Sequence, residues 1–385
     1  LDLEENRSSA NERLLHRLKH SYRYLDLISS NLFKALPIFF SSRRKRGTAL
    51  RFPAQLGHPF AISLSVQDLN SAKIQDVLAA AGIDLVRFSV SSDMISELRR
   101  FKERAACLQS RGVRSMASLA QRREDVKDPD LWEAFVAAVF SELGGSCAFF
   151  EIGQAWNLPG TGVFDYQEYL SLAHAAFSAA EDHSADLVGP AVAGFRFSLF
   201  PPLLKVLPFV GVSCQLFIPA ETDSALPVGG KKFMNKLARL QAVIEVTSQQ
   251  GKGIWLTDLG WPLPDEGKNC EALVRFLVPV LSTGLVERVF LPWHTVSPPS
   301  ALKTLTAFLS DSIFQGKFVH PEAEIFTFCR AKEVFAVAWT AGESLDYEFP
   351  AGLKKIVSWD GEECSVTSPV VTLDGRPRFV VFENV

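Results

Sequence analysis

Phe149-Phe150-Glu151-Ile152-Gly153-Gln154-Ala155-Trp156-Asn157 is an apolar run that ends in polar residues and passes into the turn Leu158-Pro159-Gly160. This profile predicts a buried strand whose C-terminal end opens into a site, since the βα-loops at the strand C-termini of a β/α barrel build its active face. On either side of it, short apolar runs alternate with helix-like segments, the pattern of βα units on a parallel sheet. The predicted strands are Phe60–Val66, Leu85–Val90, Arg114–Leu119, Ala148–Gly153, Asp186–Val192, Gly211–Phe217, Gly253–Asp258 and Val289–Trp293. Together they predict a (β/α)8 TIM barrel over roughly residues 55–300. Segments between them, such as Asn70–Ala81, Asp93–Ser110 and Asp165–Glu181, carry helical periodicity and begin with residues that cap helix N-termini.

Beyond Pro298-Pro299 and one more helix-like segment the texture changes to alternation, in Glu324–Phe328, Val334–Trp339, Leu353–Val357, Val370–Leu373 and Arg378–Phe382. Strands at this spacing without helices between them predict a small antiparallel β-sandwich. At the other end, Leu14, Leu18, Tyr22, Leu25, Ile28, Leu32 and Leu36 recur at helical steps, which predicts an amphipathic helix over Ser9–Leu36 that closes at Pro37. Ile38-Phe39-Phe40 and Arg43-Arg44-Lys45-Arg46 follow it. The expected organisation is therefore an N-terminal helical extension with a basic linker (1–47), the barrel (48–300) and the sandwich (301–385).

At 385 residues, 47% hydrophobic and 22% charged, the chain has the length and composition of two folded units, and its net charge of −3 argues against a nucleic-acid partner. The charge is uneven: residues 1–51 hold 11 Lys/Arg and 5 Asp/Glu, so a basic appendage joins an acidic body. Apolar residues beside the basic cluster fit either a peripheral membrane or a protein contact through residues 9–46. The six cysteines are scattered without a C-x-x-C pair and are expected to be free thiols. No run of 18 apolar residues and no signal peptide occurs in the chain as given, which begins at Leu1. The expected location is cytoplasmic or peripheral to an inner membrane, or periplasmic if the N-terminus is trimmed. No P-loop or dinucleotide fingerprint follows a predicted strand, and His174 and His183 lack metal spacing, so neither cofactor nor metal is expected.

The central stretch resembles the fourth strand of clan A glycoside hydrolases, most closely the family 39 β-xylosidase-like group. That group has E-[IV]-[GW]-N-E-x-N here, with the second Glu as general acid/base. This chain has Gln154 and Ala155 in place of the Asn-Glu pair. Ile254-Trp255-Leu256-Thr257-Asp258-Leu259-Gly260-Trp261 is similar to the family run that carries the nucleophilic Glu, which puts Asp258 at the nucleophile position. Val212-Ser213-Cys214-Gln215-Leu216-Phe217 resembles V-S-x-H-x-[YF], with Gln215 replacing the histidine that orients the nucleophile. Val289–His294 resembles the eighth strand, where Trp293 matches the aromatic floor of the sugar subsite. The resemblance thus implies a barrel followed by a sandwich, to which Thr48–Phe52 adds a segment. It also implies a glycan partner, Asp258 as the catalytic position, and Gln154, Asn157, Gln215, Trp261 and Trp293 as sugar-binding positions, with Trp156 a further candidate for a stacking platform. Glu151 is expected to pair with Arg87 inside the barrel.

An alanine can neither give nor take a proton, and such assistance is worth about 10²–10⁴-fold in rate. The first reading is therefore a degenerate glycoside-hydrolase-like protein that binds a glycan of polysaccharide or lipopolysaccharide metabolism with little or no hydrolysis. A second is an active glycosidase that uses Asp258 with an acid from another loop, such as Asp68, Asp93 or Glu221. A third is a non-catalytic scaffold acting through its N-terminal helix.

Overall fold

A computed structural model describes residues 12–13, 15–16, 18–48, 53–217, 231–247, 251–260, 266–296, 298–349, 352–366 and 368–383. Among these residues, eight parallel strands close a barrel: β1 (Phe60–Ser63), β2 (Leu85–Ser91), β3 (Arg114–Ala120), β4 (Phe149–Ile152), β5 (Leu187–Ala193), β6 (Gly211–Phe217), β7 (Ile254–Gly260) and β8 (Val286–Pro292). Closure comes from β8 pairing with β1, Val289 opposite Phe60. The first strand is shorter than its apolar run, because Ser65 and Asp68 form a capping box that starts the helix Val66–Leu69. The last strand begins earlier, at Val286, and gives way at Trp293 to a 3-10 turn.

Side chains alternate across each strand, so the barrel interior fills in layers. Ala61, Leu85, Met116, Val188, Trp255 and Phe290 form a buried apolar plug toward the strand N-termini, with Phe149 and Val210 against it. Outward-facing residues such as Val86, Phe88, Phe150, Ile152, Val212 and Leu256 join the larger core between strands and helices.

The helix Pro299–Leu309 leads into an antiparallel sheet of β9 (Ile313–Val319), β10 (Ala323–Arg330), β11 (Glu333–Thr340), β13 (Leu353–Ser358), β14 (Glu363–Cys364) and β16 (Arg378–Phe382). The segment added from before the barrel is Ala54–Gln55, which pairs with β9; of the expected Thr48–Phe52, Thr48 ends a helix and the remainder lies outside the described residues. One face of the sheet, including Phe328, Phe335 and Phe379, packs on the barrel, where Phe308 stacks on Phe379 at 4.6 Å. The other face, including Ile325, Ala338 and Val380, is covered by the hairpin β12 (Leu345–Glu348) with β15 (Val370–Leu373) through Val371 and Leu373. Strand β9 is missing from the sequence reading because a bulge between Phe314 and Gly316 breaks its alternation.

The N-terminal helix spans Ser21–Thr48 and continues through Pro37, so the basic cluster is helical and not a linker. The proline costs one helical hydrogen bond. Burial of Ile38 and Ser42 directly after it holds the next turns against the barrel. Further polar anchors run along the same face: Asn31 donates to the Ser198 carbonyl at 2.9 Å and Ser41 to Glu245 at 3.3 Å. Ahead of the helix, Arg13 donates to the Asn157 carbonyl at 3.1 Å.

Asp165 joins the extension to the barrel. Its Oδ1 caps the helix Tyr166–Glu181 by accepting from the backbone of Gln167 and Glu168, and its Oδ2 takes His16 at 2.7 Å and Arg23 at 2.8 Å. Burial opposes ionisation, but the Glu168 N–H, His16 and Arg23 outweigh it and hold the carboxyl below the usual aspartate range. The stability this group contributes is therefore present at neutral pH and lost as pH falls through its lowered pKa. Asp165→Ala should cost about 2–3 kcal/mol at neutral pH by denaturant unfolding, and Asp165→Asn, which keeps the cap, about 1 kcal/mol. Both penalties should shrink on acidification; an Asp165→Asn variant as stable as the parent would mean that the cap alone matters, and equal penalties that the ion pairs alone do.

Candidate functional site

Two residues beyond the apolar plug, the same inward positions turn polar: Ala61 is followed by Ser63, Leu85 by Arg87, Met116 by Ser118, Phe149 by Glu151 and Trp255 by Thr257. Glu151 is fully buried and accepts from Arg87 Nε at 2.8 Å, Ser118 Oγ at 3.0 Å and Thr257 Oγ1 at 2.5 Å. Arg87 also donates to Ser118 at 2.9 Å, so the expected Arg87–Glu151 pair exists within a larger network. Strands β4 and β7 are not neighbours, so the Thr257–Glu151 bond crosses the lumen.

Asp258 stands one step above this network. The register between β6 and β7 shifts there, with Cys214 opposite Leu256 but Gln215 opposite Asp258. A bulge of this kind re-aims a side chain that strict alternation would turn away. Thr257 reaches into the lumen, Leu259 packs in the outer core, and Asp258 between them senses Arg87, Glu151 and His294. Burial, and then the Glu151 charge, raise its pKa against the opposing pull of Arg87 and His294. Its carboxyl makes no hydrogen bond to a described residue.

Gln154 and Ala155 do not extend β4. The strand ends at Ile152, Gly153 has φ +86° and Ala155 φ +44°, so the chain turns sharply and Ala155 is buried. Ala155 is therefore not a continuation of the strand that carries Glu151. Gln154 accepts from Ser89 Oγ at 3.2 Å, and Gln121 clamps the turn by bonding both the N–H and the carbonyl of Gln154. The Gln154 Nε2 has no described partner, which leaves a donor in the mouth.

The other predicted positions separate. Asn157 spends both ends of its amide on Ala193, tying the loop after β4 to the end of β5. Gln215 faces inward but is sealed at 0% exposure, beneath the mouth surface, and neither its Nε2 nor its Oε1 has a partner among the described residues. Trp293 is partly buried at the end of β8, next to exposed His294. Trp261 and Glu221 lie outside the described residues. Trp156 is no stacking platform: its Nε1 donates to the Pro190 carbonyl at 2.7 Å and its ring stacks on Tyr169 at 4.6 Å, in the core.

Asp68 is held in the Ser65 capping box, and Asp93 accepts from Ser91 at 2.5 Å. That bond, with Arg122 nearby, keeps the Asp93 carboxyl below the usual range, the wrong direction for an acid that must hold a proton. Sequence reasoning missed Gln121, whose signal was its place directly after the third predicted strand, and the Ser118 and Thr257 hydroxyls that complete the Glu151 network. Among the described residues no group of three His, Cys, Asp or Glu side chains could hold a metal ion.

Because the folded pKa of Asp258 is raised, its ionisation opposes folding once pH rises above the ordinary aspartate value of about 3.9. Asp258→Asn should therefore raise Tm at neutral pH by a few degrees, with a gain that shrinks toward about pH 4. A gain independent of pH, or a loss at neutral pH, would contradict this environment for the carboxyl.

No protein-family model matches the sequence, and no curated protein does. Among solved structures, a family 39 glycoside hydrolase from the gut symbiont Bacteroides cellulosilyticus WH2 superimposes with a TM-score of 0.67 at 15% identity, over 85% of this chain and 81% of that one. A GH30 endoxylanase from Clostridium papyrosolvens C71 gives 0.61 at 13% identity, over 87% and 98%. A glucosidase from Croceicoccus marinus gives 0.61 at 12% identity, over 86% and 96%. At these identities the likeness is one of fold: this chain carries the barrel and antiparallel sheet of glycoside hydrolases of that structural group.

Proposed function

We propose that this chain binds a glycan at the C-terminal face of its barrel, in the handling of a polysaccharide or lipopolysaccharide, and hydrolyses it weakly or not at all. The observation that supports this reading most is that, among the described residues, Asp258 has Glu151 as the carboxylate acting on it. A retaining glycosidase needs a second working carboxyl about 5–5.5 Å away and an inverting one about 6.5–9.5 Å away. The carboxylate that acts on Asp258 electrostatically, Glu151, is sealed and takes three bonds, and Ala155 occupies the place that the family resemblance gives to the acid/base. A raised pKa also suits a proton donor better than a nucleophile. Gln154, after β4, and Trp293, after β8, supply the remaining chemistry of a sugar site, an amide donor and an aromatic face.

The second reading, a surviving glycosidase, draws on the same carboxyl, since an acid of raised pKa without a hydrogen bond to a described residue is a feature catalytic acids share. Separately from the sugar site, we read the N-terminal helix as a contact surface.

Calorimetric titration with xylo- and gluco-oligosaccharides, alongside turnover of aryl glycosides, tests the proposal. Binding weakened about tenfold by Trp293→Ala, without turnover, is the expected result. Turnover abolished by Asp258→Asn would replace this reading with the enzyme, and absence of both binding and turnover would remove the sugar site altogether.

A further inference from the structure

The N-terminal helix meets the barrel through a largely polar face, with Ile38 and Leu27 as its apolar contacts. Its hydrogen-bonding face lies on the barrel, whereas Leu18, Tyr22, Leu25, Leu32, Leu36 and Phe40 on the opposite face are between 60% and 69% exposed. From residue 18 to residue 40 this stripe is about 33 Å long. A continuous apolar face of that length is unusual on a soluble surface and marks an interaction site.

Resting on the reading of this helix as a contact surface, we infer that the stripe seats in the interface of an anionic lipid bilayer. Charge selects the occupant. Ser21–Thr48 holds six Lys/Arg and one Asp, and Arg43 and Arg44 are exposed at the end of the stripe beyond Phe40. Two copies joined stripe to stripe in parallel would bring these like charges together, and an antiparallel pair would leave them without a partner of opposite sign from the stripe, whereas anionic headgroups complement them. Apolar side chains entering the acyl boundary with basic residues at headgroup level is the arrangement of an interfacial helix. Among the described residues no helix is long and apolar enough to cross a membrane.

The mounting also sets an orientation. The helical segment begins at the loop after β4, where Arg13 and Arg23 are held by Asn157 and Asp165, and reaches Glu245 near the end of the helix Lys231–Val246 that returns to the strand N-termini. The stripe therefore runs along the barrel wall, and docking through it lays the barrel on its side with the rim of the mouth at headgroup level.

Co-sedimentation of the intact chain with phosphatidylglycerol–phosphatidylcholine vesicles, and with phosphatidylcholine vesicles alone, at low and high salt, tests the inference. Light scattering run alongside reports oligomeric state. The expected result is a monomer that binds the anionic vesicles at least about tenfold more weakly at high salt. Binding should be lost in Leu25→Glu/Leu32→Glu, whose exposed positions leave Tm unchanged, and reduced in Arg43→Glu/Arg44→Glu. Equal, salt-insensitive binding to both vesicles would overturn the anionic partner. A dimer dissolved by Leu25→Glu/Leu32→Glu, with no vesicle binding, would replace lipid by a second copy and leave the contact surface standing. A folded monomer that binds neither vesicle would overturn both.

Discussion

A carboxylate with 0% exposure in the middle of a barrel has to be compensated completely, and the interior of this protein is arranged around meeting that requirement for Glu151. Arg87 supplies the counter-charge, and Ser118 and Thr257 occupy remaining lone pairs, so β2, β3, β4 and β7 are joined through one side chain. Removing one partner of such a pair typically costs about 3–5 kcal/mol. The apolar plug below excludes water from the network, and the same low dielectric carries its charges upward to Asp258. Full compensation also removes Glu151 from chemistry, because a carboxylate with three fixed donors and no solvent access has no route for a proton to a substrate.

From that centre a continuous set of contacts leads to the surface. β4 delivers Glu151 and then stops at Gly153, where a left-handed backbone reverses the chain into a loop clamped by Gln121. Asn157 pins this loop to β5, and Asp165 caps the helix that follows while receiving His16 and Arg23. The loop that borders the candidate sugar site is thus the loop on which the N-terminal helix is mounted.

The barrel and its strand order were legible because apolar runs spaced by capped helices leave few alternatives, and Glu151 with Arg87 stood out as charges inside such runs. Other features depend on contacts that sequence periodicity does not contain. A period of two cannot anticipate the bulge that turns Asp258 into the lumen, nor the reversal at Gly153 that takes Ala155 out of the strand. Trp156 resembled a sugar platform at the end of a strand, yet the Pro190 carbonyl and the face of Tyr169 claim it for the core. Pro37 signalled a helix end, and burial of Ile38 and Ser42 overrode it. The stripe of leucines was visible, but helical periodicity alone favours burying the apolar face; here histidine, arginine and asparagine bind the barrel and the leucines face outward.

Among the described residues Asp258 stands at the barrel mouth without a second working carboxyl. Carbon-detected NMR of the side-chain carboxyls, with Asp258 assigned by comparison with Asp258→Asn, follows its proton directly. A single transition above the ordinary aspartate range, with no other carboxyl moving in step, is the result the account predicts. Two coupled transitions shared between Asp258 and a second carboxyl would reveal a working pair and contradict it.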